Sequence, residues 1–361
     1  MTHRVHNFCA GPCTLPASVL EEVRAELLDF EGSGMSLVEL SHRSDEYDRV
    51  HHDAIASFRN VFGVPDDRSV LFLQGGATLQ FGMVPINLLR AGERAAYVRS
   101  GTWGVAAERD AAPYGDVYAA WDGKPLGYTR MPTSTELEIG PGTRYLHVTS
   151  NETIEGIRLA SFPDAQVPLV ADMSSDYVSR RVPWERFDLV YGGAQKNLGP
   201  AGLAIVVVRS ELLEGNKPEA MTYLRYDLHA AKDSLMNTPP MFAIYVMGKV
   251  LAWIEKLGGV DAMEERARRR SGLVYDAIGS SGGFYRSPVE PADRSLMNVV
   301  FRMPTDDLED EFLKGAEAEG LVNLRGHRSV GGIRASIYNA MTDEGVDALV
   351  AFMRGFAETR G

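Results

Sequence analysis

The chain has 361 residues, of which 45% are hydrophobic and 24% charged, and its formal net charge is −12. This length and composition predict a globular protein with one large and one smaller domain, and the acidic balance argues against nucleic-acid binding. Two cysteines, Cys9 and Cys13, are too few for a disulfide framework. Together with the lack of a long apolar run or a signal-peptide core, they favour the cytoplasm.

Helical patterns and short apolar strands alternate between about residues 15 and 250. The predicted helices are Pro16–Phe30, Tyr47–Phe62, Thr78–Leu89, one that begins near Trp103, and Phe242–Leu257. The predicted strands are Ser69–Leu73, Ala95–Val98, Arg144–Val148, Val167–Ala171, Phe187–Tyr191 and Leu203–Val208. Such alternation predicts an α/β fold, with a mostly parallel sheet covered by helices on both faces.

The pattern changes after Gly258-Gly259. Three helices and two strands follow: Val260–Ser280, Met297–Phe301, Asp306–Glu319, Gly331–Ser336 and Thr342–Arg360. We predict a large domain over residues 16–260 and a smaller α+β domain formed by residues 1–15 and 261–361. The basic run Arg266–Arg270 follows Glu264 and Glu265 in a helical pattern, so it is predicted to be a solvated helix face. His3 with His6, and His51 with His52, have no cysteine or carboxylate pattern of a metal site around them, so no metal is expected.

Polar residues follow several of the predicted strands, where ligands of open α/β sheets bind. Gly75-Gly76-Ala77-Thr78 could hold an anion at a helix N-terminus, or be an ordinary turn. Trp103 could stack on a planar ring, or pack in the core. The loop 150–156, which includes Thr153, could offer polar groups to a ligand, or make only structural bonds.

Asp172 and Lys196 complete this set. Asp172 ends an apolar strand, where a partly desolvated carboxylate needs a cationic partner such as a protonated pyridine nitrogen. Lys196 lies in a small-residue turn between two apolar strands, where poor hydration would lower its pKa and suit Schiff-base formation. A lysine at an exposed strand end is the alternative. A phosphate cradle, a stacking ring, an acid and a lysine are what pyridoxal phosphate requires.

Two His-Arg pairs and one further arginine indicate an anionic substrate. They are His42-Arg43, His327-Arg328 and Arg334. Arginine grips carboxylates and phosphates with two parallel hydrogen bonds, so one arginine suits an α-carboxylate and the pairs suit a second anionic group. The alternative is that each arginine pairs with a nearby acid, such as Asp45 or Glu46.

The chain also resembles the phosphoserine aminotransferases, which are class V, fold-type I enzymes that use pyridoxal phosphate. The stretches that carry the resemblance are Asn7-Phe8 with Gly11-Pro12, Leu40-Ser41-His42-Arg43, Gly75-Gly76, Ser100-Gly101-Thr102-Trp103, Asn151-Glu152-Thr153-Ile154-Glu155-Gly156, Ala194-Gln195-Lys196-Asn197-Leu198-Gly199-Pro200-Ala201-Gly202, Asn237-Thr238-Pro239-Pro240, Gly326-His327-Arg328 and Arg334-Ala335-Ser336-Ile337-Tyr338-Asn339-Ala340. They span nearly the whole chain.

The resemblance implies a role for each candidate site residue. Lys196 would be the Schiff-base lysine, Asp172 the partner of the pyridine nitrogen and Trp103 the stacking ring. The remaining cofactor contacts would come from Gly76, Ala77, Thr153 and Gln195, and from Asn237 and Thr238 of the other subunit of a homodimer. Arg334 would hold the α-carboxylate. The second anionic group would be held by His42, Arg43, His327 and Arg328, the first pair coming from the partner subunit.

The implied reaction moves an amino group between L-glutamate and 3-phosphohydroxypyruvate in serine biosynthesis. The sequence leaves open whether a phosphorylated hydroxythreonine of pyridoxine biosynthesis is also used. One departure is Cys9-Ala10, where relatives often have serine, so a hydroxyl contact would be lost and only a main-chain N–H could remain. Two alternatives stay open: another class V aminotransferase, such as an alanine–glyoxylate enzyme, and a non-catalytic protein that binds small molecules.

Overall fold

The structure, a computed structural model, describes residues 4–215 and 218–361. Its strands in chain order are β1 His6–Asn7, β2 Arg68–Gln74, β3 Arg94–Arg99, β4 Asp116–Asp122, β5 Thr143–Thr149, β6 Asn151–Glu152, β7 Ile157–Arg158, β8 Leu169–Asp172, β9 Phe187–Gly193, β10 Leu203–Arg209, β11 Asn298–Phe301, β12 Leu321–Val322 and β13 Ile333–Ser336. Its α-helices are α1 Ala17–Glu26, α2 Asp45–Phe62, α3 Gly76–Leu88, α4 Thr102–Ala111, α5 Tyr226–Ala230, α6 Met241–Lys256, α7 Gly259–Gly279, α8 Asp306–Ala318 and α9 Asp343–Arg360.

A seven-stranded sheet in the order β2-β10-β9-β8-β5-β3-β4 forms the centre of the fold. Only β10 runs against its neighbours, because it pairs antiparallel with both β2 and β9 while the other pairings are parallel. Alternate residues of the strands enter two hydrophobic clusters, for example Phe72 and Val98 in one and Leu73 and Tyr97 in the other. Both faces are therefore buried, and the predicted α/β class is confirmed.

The strand register places the predicted acid beside the predicted lysine segment. Asp172 is the last residue of β8 and pairs with Thr149 on β5 and with Tyr191 on β9. Lys196 follows β9 within the connection to β10. Since the parallel strands end at one edge of the sheet, the side chains that follow them converge there.

The N-terminal strand joins the C-terminal part of the chain. β1 pairs with β12, and Phe8 belongs to a hydrophobic cluster whose other buried members run from Val274 to Met353. This cluster supports a small domain built from both ends of the chain. Val289 and Val300 pack in the large cluster instead, so the boundary near residue 260 stays a prediction.

The structure departs from the predicted elements at the first helix and at β4. The first helix ends at Glu26 rather than Phe30, which leaves Leu27 and Leu28 exposed. The partly exposed edge strand β4 was not predicted, because only one of its residues is fully buried and it lacks a continuous apolar run.

The basic run at residues 266–270 is not wholly solvated. Arg270 is only 1% exposed, and its guanidinium donates to Asp343 Oδ1 at 2.7 Å and to the Asn339 carbonyl at 3.1 Å. Arg268 and Arg269 are exposed, as predicted. A helix face can bury an arginine where a neighbouring element supplies the carboxylate, and the sequence pattern of α7 alone does not show that α9 does so.

Candidate active site

A cavity of about 280 Å³ opens at the carboxyl ends of β2, β5, β8 and β9. Seven of the predicted cofactor contacts line it together: Gly76, Ala77, Trp103, Thr153, Asp172, Gln195 and Lys196. They come from five separate segments of the chain, which the sheet brings to one place.

Lys196 is held by its main chain and buried at its side chain. The turn after β9 is closed by hydrogen bonds from Ala194 N to the Leu203 carbonyl at 2.9 Å and from Gly199 N to the Ala194 carbonyl at 2.8 Å. The Lys196 ammonium donates to Thr153 Oγ1. Burial lowers the pKa of Lys196 to about 8, against the opposing effect of the Asp172 carboxylate. The amine is therefore available near neutral pH, as a nucleophile or base requires.

Asp172 is fixed by Ser174, which the sequence interpretation missed. The main-chain N of Ser174 and its Oγ both donate to Asp172 Oδ1, at 2.8 and 2.6 Å. Burial raises the pKa of Asp172, and the two bonds from Ser174 lower it. Ser174 Oγ also accepts from Gly193 N at 3.1 Å, so it links the acid to the strand before Lys196. A serine two residues after an aspartate at a strand end is a spacing that could have indicated this turn.

The N-terminus of α3 forms an anion cradle. Gly75 and Gly76 have φ of 92° and 62°, values that favour glycine, and α3 begins at Gly76. A Cβ at Gly76 would meet nothing within 4 Å. The first N–H groups of α3 thus face the cavity with the positive end of the helix dipole, which suits a phosphate.

Three buried polar atoms on the cavity wall lack a partner among the described residues. They are Trp103 Nε1, Thr149 Oγ1 and Gln195 Oε1. Buried polar atoms are normally hydrogen-bonded, so the cavity is built for a polar ligand. A planar ring with polar substituents and a phosphate at the α3 cradle fits this wall, and Asp172 can neutralise a cationic ring nitrogen. The residues present therefore fit pyridoxal phosphate.

Arg334 is close to the reactive lysine and is not neutralised. Its Nη1 reaches the Thr153 carbonyl at 3.5 Å, and its charge contributes to the lowered pKa of Lys196. Within the described ranges it makes no ion pair, and neither do Arg43 and Arg328. The alternative that these arginines pair with adjacent acids thus fails for the described part of the chain. An unpaired arginine beside the amine is suited to a substrate carboxylate.

Seven predicted residues do not line the cavity: Arg334, His42, Arg43, Asn237, Thr238, His327 and Arg328. Thr238 Oγ1 is 3.3 Å from His42 Nδ1, so the segments at 42–43 and 237–238 meet within one chain. His327 Nδ1 is 2.7 Å from Ser329 Oγ.

The main-chain N–H of Cys9, at the departure from the family pattern, is not free. It donates to Asn7 Oδ1 at 3.0 Å, so a main-chain contact to substrate in Cys9-Ala10 stays a prediction for the N–H of Ala10. Nearby, Cys13 N donates to the Gln195 carbonyl at 3.1 Å, which ties the N-terminal segment to the lysine turn.

Comparisons with known proteins show the family of the chain. The family model of class V aminotransferases matches residues 5–349. A phosphoserine aminotransferase of Laribacter hongkongensis is 50% identical over 357 residues, covering 99% of each chain. The solved phosphoserine aminotransferase of Bacillus circulans subsp. alkalophilus is 47% identical, with a TM-score of 0.97 and 100% of each chain covered.

A more distant solved structure carries the cofactor. The phosphoserine aminotransferase from Trichomonas vaginalis, described as bound to PLP, is 34% identical, with a TM-score of 0.93 over 97% of this chain and 100% of that one. The relatives thus match this chain in sequence and fold over nearly its whole length. The protein belongs to the class V aminotransferases, within the phosphoserine aminotransferase family.

Proposed function

We propose that the chain uses pyridoxal phosphate to move the amino group between L-glutamate and 3-phosphohydroxypyruvate, giving 3-phospho-L-serine and 2-oxoglutarate. The observation that carries the proposal is the shared cavity of Lys196 and Asp172, with an unpaired Arg334 beside them. Full-length relatives that bear the name phosphoserine aminotransferase support the same reaction.

The protein's own groups have separate roles in this reaction. When bound, pyridoxal phosphate supplies an electron sink for the pair left behind when the substrate Cα proton is removed. Asp172 holds a proton at the pyridine nitrogen, which keeps that sink effective. Lys196 Nζ would take the substrate Cα proton as a general base and then, as a general acid, donate it to the cofactor carbon that receives the amino group. Trp103 and Thr153 both line the cavity, where Trp103 can stack on the ring and Thr153 accepts from Lys196.

Absorbance spectroscopy tests the cofactor assignment. The purified chain incubated with pyridoxal phosphate should gain a visible band that L-glutamate bleaches, and Lys196→Ala should lack the band. Lys249→Ala is the matched control, because Lys249 pairs with Glu26 away from the cavity and its loss should leave the band intact. A colourless native protein would refute the proposal.

The second anionic group distinguishes this reaction from that of an alanine–glyoxylate enzyme. His327 and Arg328 lie in the same C-terminal segment as Arg334, and Arg328 has no ion pair within the described residues. Arg328→Ala should therefore damage turnover of the phosphorylated keto acid. If the native protein turned over a phosphate-free keto acid equally well, the substrate assignment would be wrong. The same assay, run with a phosphorylated hydroxythreonine, tests the second substrate.

We also infer a homodimer with shared sites. The contact between Thr238 and His42 means that both segments lie on one surface, and Asn237 and Arg43 on that surface are exposed. One chain could therefore present an amide, a hydroxyl, an imidazole and a guanidinium to the site of a second copy, whereas none of the four lines its own cavity.

Mixed dimers test the shared site. Lys196→Ala chains and Asn237→Ala/Thr238→Ala chains should each be weakly active alone, and should regain activity when mixed, because one of the two sites in a mixed dimer is intact. If dimers shown to be mixed regained no activity, the proposal would be contradicted.

The described residues contain no helix long and apolar enough to cross a membrane. A cytoplasmic location remains a proposal, supported by two free cysteines.

A further inference from the structure

Glu152 is a fully buried carboxylate that the proposed reaction does not use. It lies next to Thr153, and its carboxylate contacts the start of α4. Ser100 Oγ and Gly104 N donate to Glu152 Oε1 at 2.8 and 2.9 Å, and Trp103 N donates to Oε2 at 3.1 Å. Three donors on one buried carboxylate make a strong anchor.

The neighbouring glycines are needed for this approach. A Cβ at Gly101 would lie 2.8 Å from Glu152 Cδ and 2.6 Å from Glu155 Oε2, and a Cβ at Gly104 would lie 3.3 Å from Glu152 Oε1. Any larger residue at Gly101 would push the carboxylates away from the helix. The glycines of Ser100-Gly101-Thr102-Trp103-Gly104 therefore make room for the acids of the loop 151–156.

We propose that Glu152 is a positioning residue for the cofactor ring. Its carboxylate fixes the main chain of Trp103, and so sets where the indole lies, relative to the loop whose next residue, Thr153, meets Lys196. Trp103 and Thr153 both line the cavity. Because Glu152 binds the main chain of Trp103 and is adjacent in sequence to Thr153, it links the stacking ring to the residue that contacts the reactive amine. This inference rests on the proposed cofactor site and goes beyond it, because Glu152 is assigned no contact with ligand.

Burial and the nearby charge of Glu155 raise the pKa of Glu152, and the bonds from Gly104, Ser100 and Trp103 act against that rise. The three donors favour the ionised form, since a carboxylate accepts all three bonds and a protonated acid does not. The positive end of the α4 helix dipole also favours the ionised form of Glu152.

The substitution Glu152→Gln should break one of the three hydrogen bonds and keep the other two. With its amide oxygen at the Oε1 position, glutamine keeps the bonds from Ser100 and Gly104 but turns an NH₂ group toward Trp103 N, so that two donors meet. Glu155→Gln is the matched control. Glu155 Oε1 accepts from Thr102 N at 2.9 Å and from Thr102 Oγ1 at 2.6 Å, whereas Oε2 has no partner among the described residues. Glutamine at 155 can therefore keep both bonds.

The experiment is a double-mutant cycle on the affinity of the apoenzyme for pyridoxal phosphate, measured by quenching of tryptophan fluorescence. Glu152→Gln should weaken binding about tenfold, and Glu155→Gln should stay within about twofold of the native protein. In a Trp103→Ala background, Glu152→Gln should cost about twofold or less, because no indole remains to be positioned. A purely structural role would give the same loss in both backgrounds.

Other outcomes would overturn either the role of Glu152 or the proposed function. Equal losses with and without Trp103, or equal losses for Glu152→Gln and Glu155→Gln, would overturn the role of Glu152. Failure of the native chain to bind pyridoxal phosphate would instead refute the proposed function. If Glu152→Gln does not fold, Ser100→Ala replaces it. This variant removes one of the three donors, and its loss of about threefold should likewise vanish in the Trp103→Ala background.

Discussion

Replacing Ser174 with alanine tests how the structure keeps Asp172 ionised. The substitution removes the 2.6 Å bond from Ser174 Oγ to Asp172 Oδ1 and leaves the 2.8 Å bond from the main-chain N. A hydrogen bond to a charged group contributes about 2 kcal/mol, so its loss should raise the pKa of the buried Asp172. A weaker hold on the ring proton should slow the glutamate half-reaction by about 10- to 30-fold.

Stopped-flow absorbance in a single turnover measures this step. The acid limb of its pH profile should also move to higher pH, because an aspartate with a raised pKa is protonated at higher pH. Ser179→Ala is the matched control, since it removes a buried hydroxyl bond to the Asp176 carbonyl at 2.7 Å on the same segment without touching Asp172. If Ser174→Ala slowed the step no more than Ser179→Ala, or left the acid limb in place, the reasoning would be wrong.

Three further predictions follow from buried charges. Incorporation of pyridoxal phosphate into the apoenzyme should speed up as pH rises through about 8, because Lys196 reacts as the free amine and burial lowers its pKa to about 8; a midpoint above 10 in stopped-flow absorbance would contradict this. Arg334→Gln should raise KM for glutamate about 100-fold in steady-state assays while leaving the visible band, since a charged grip on a carboxylate is worth about 3 kcal/mol; an unchanged KM would exclude Arg334 from substrate binding. Asp343→Asn should lower the free energy of unfolding by about 3 kcal/mol in urea, because buried Arg270 loses its carboxylate; the exposed Glu317→Gln should be neutral, and equal effects would refute this account.

The sequence predicted best the positions of side chains that follow from the order and direction of the strands. Asp172 and Lys196 could be placed together because both follow buried strands of one parallel sheet, and the strand bounds were right to within a few residues. Contacts made across the fold were not predictable. The burial of Arg270 depends on an acid supplied by α9, and the use of Glu152 depends on α4, whereas their local sequence looks like a solvated helix and an ordinary polar loop.

Asn237 and Thr238 were predicted only through the resemblance, whereas the two His-Arg pairs also stood out as groups suited to an anion. His42, Asn237 and Arg328 lie on surface segments with no periodic pattern, and in the proposed homodimer a second copy of the chain would complete the surroundings of His42 and Asn237. Single-chain reasoning from residue spacing has no access to that geometry.

The reversed strand β10 also constrains the order in which the protein can fold. β2 joins the sheet only through β10, so the Gly75-Gly76 cradle that follows β2 stays detached until a much later part of the chain has been made and paired. Loop closure over such a distance is slow compared with pairing among the parallel strands. Pulsed hydrogen exchange during refolding should therefore show protection of β8 and β9 before β2. Tight cofactor binding would then report a completed sheet, and an incomplete chain on the ribosome could not retain the cofactor.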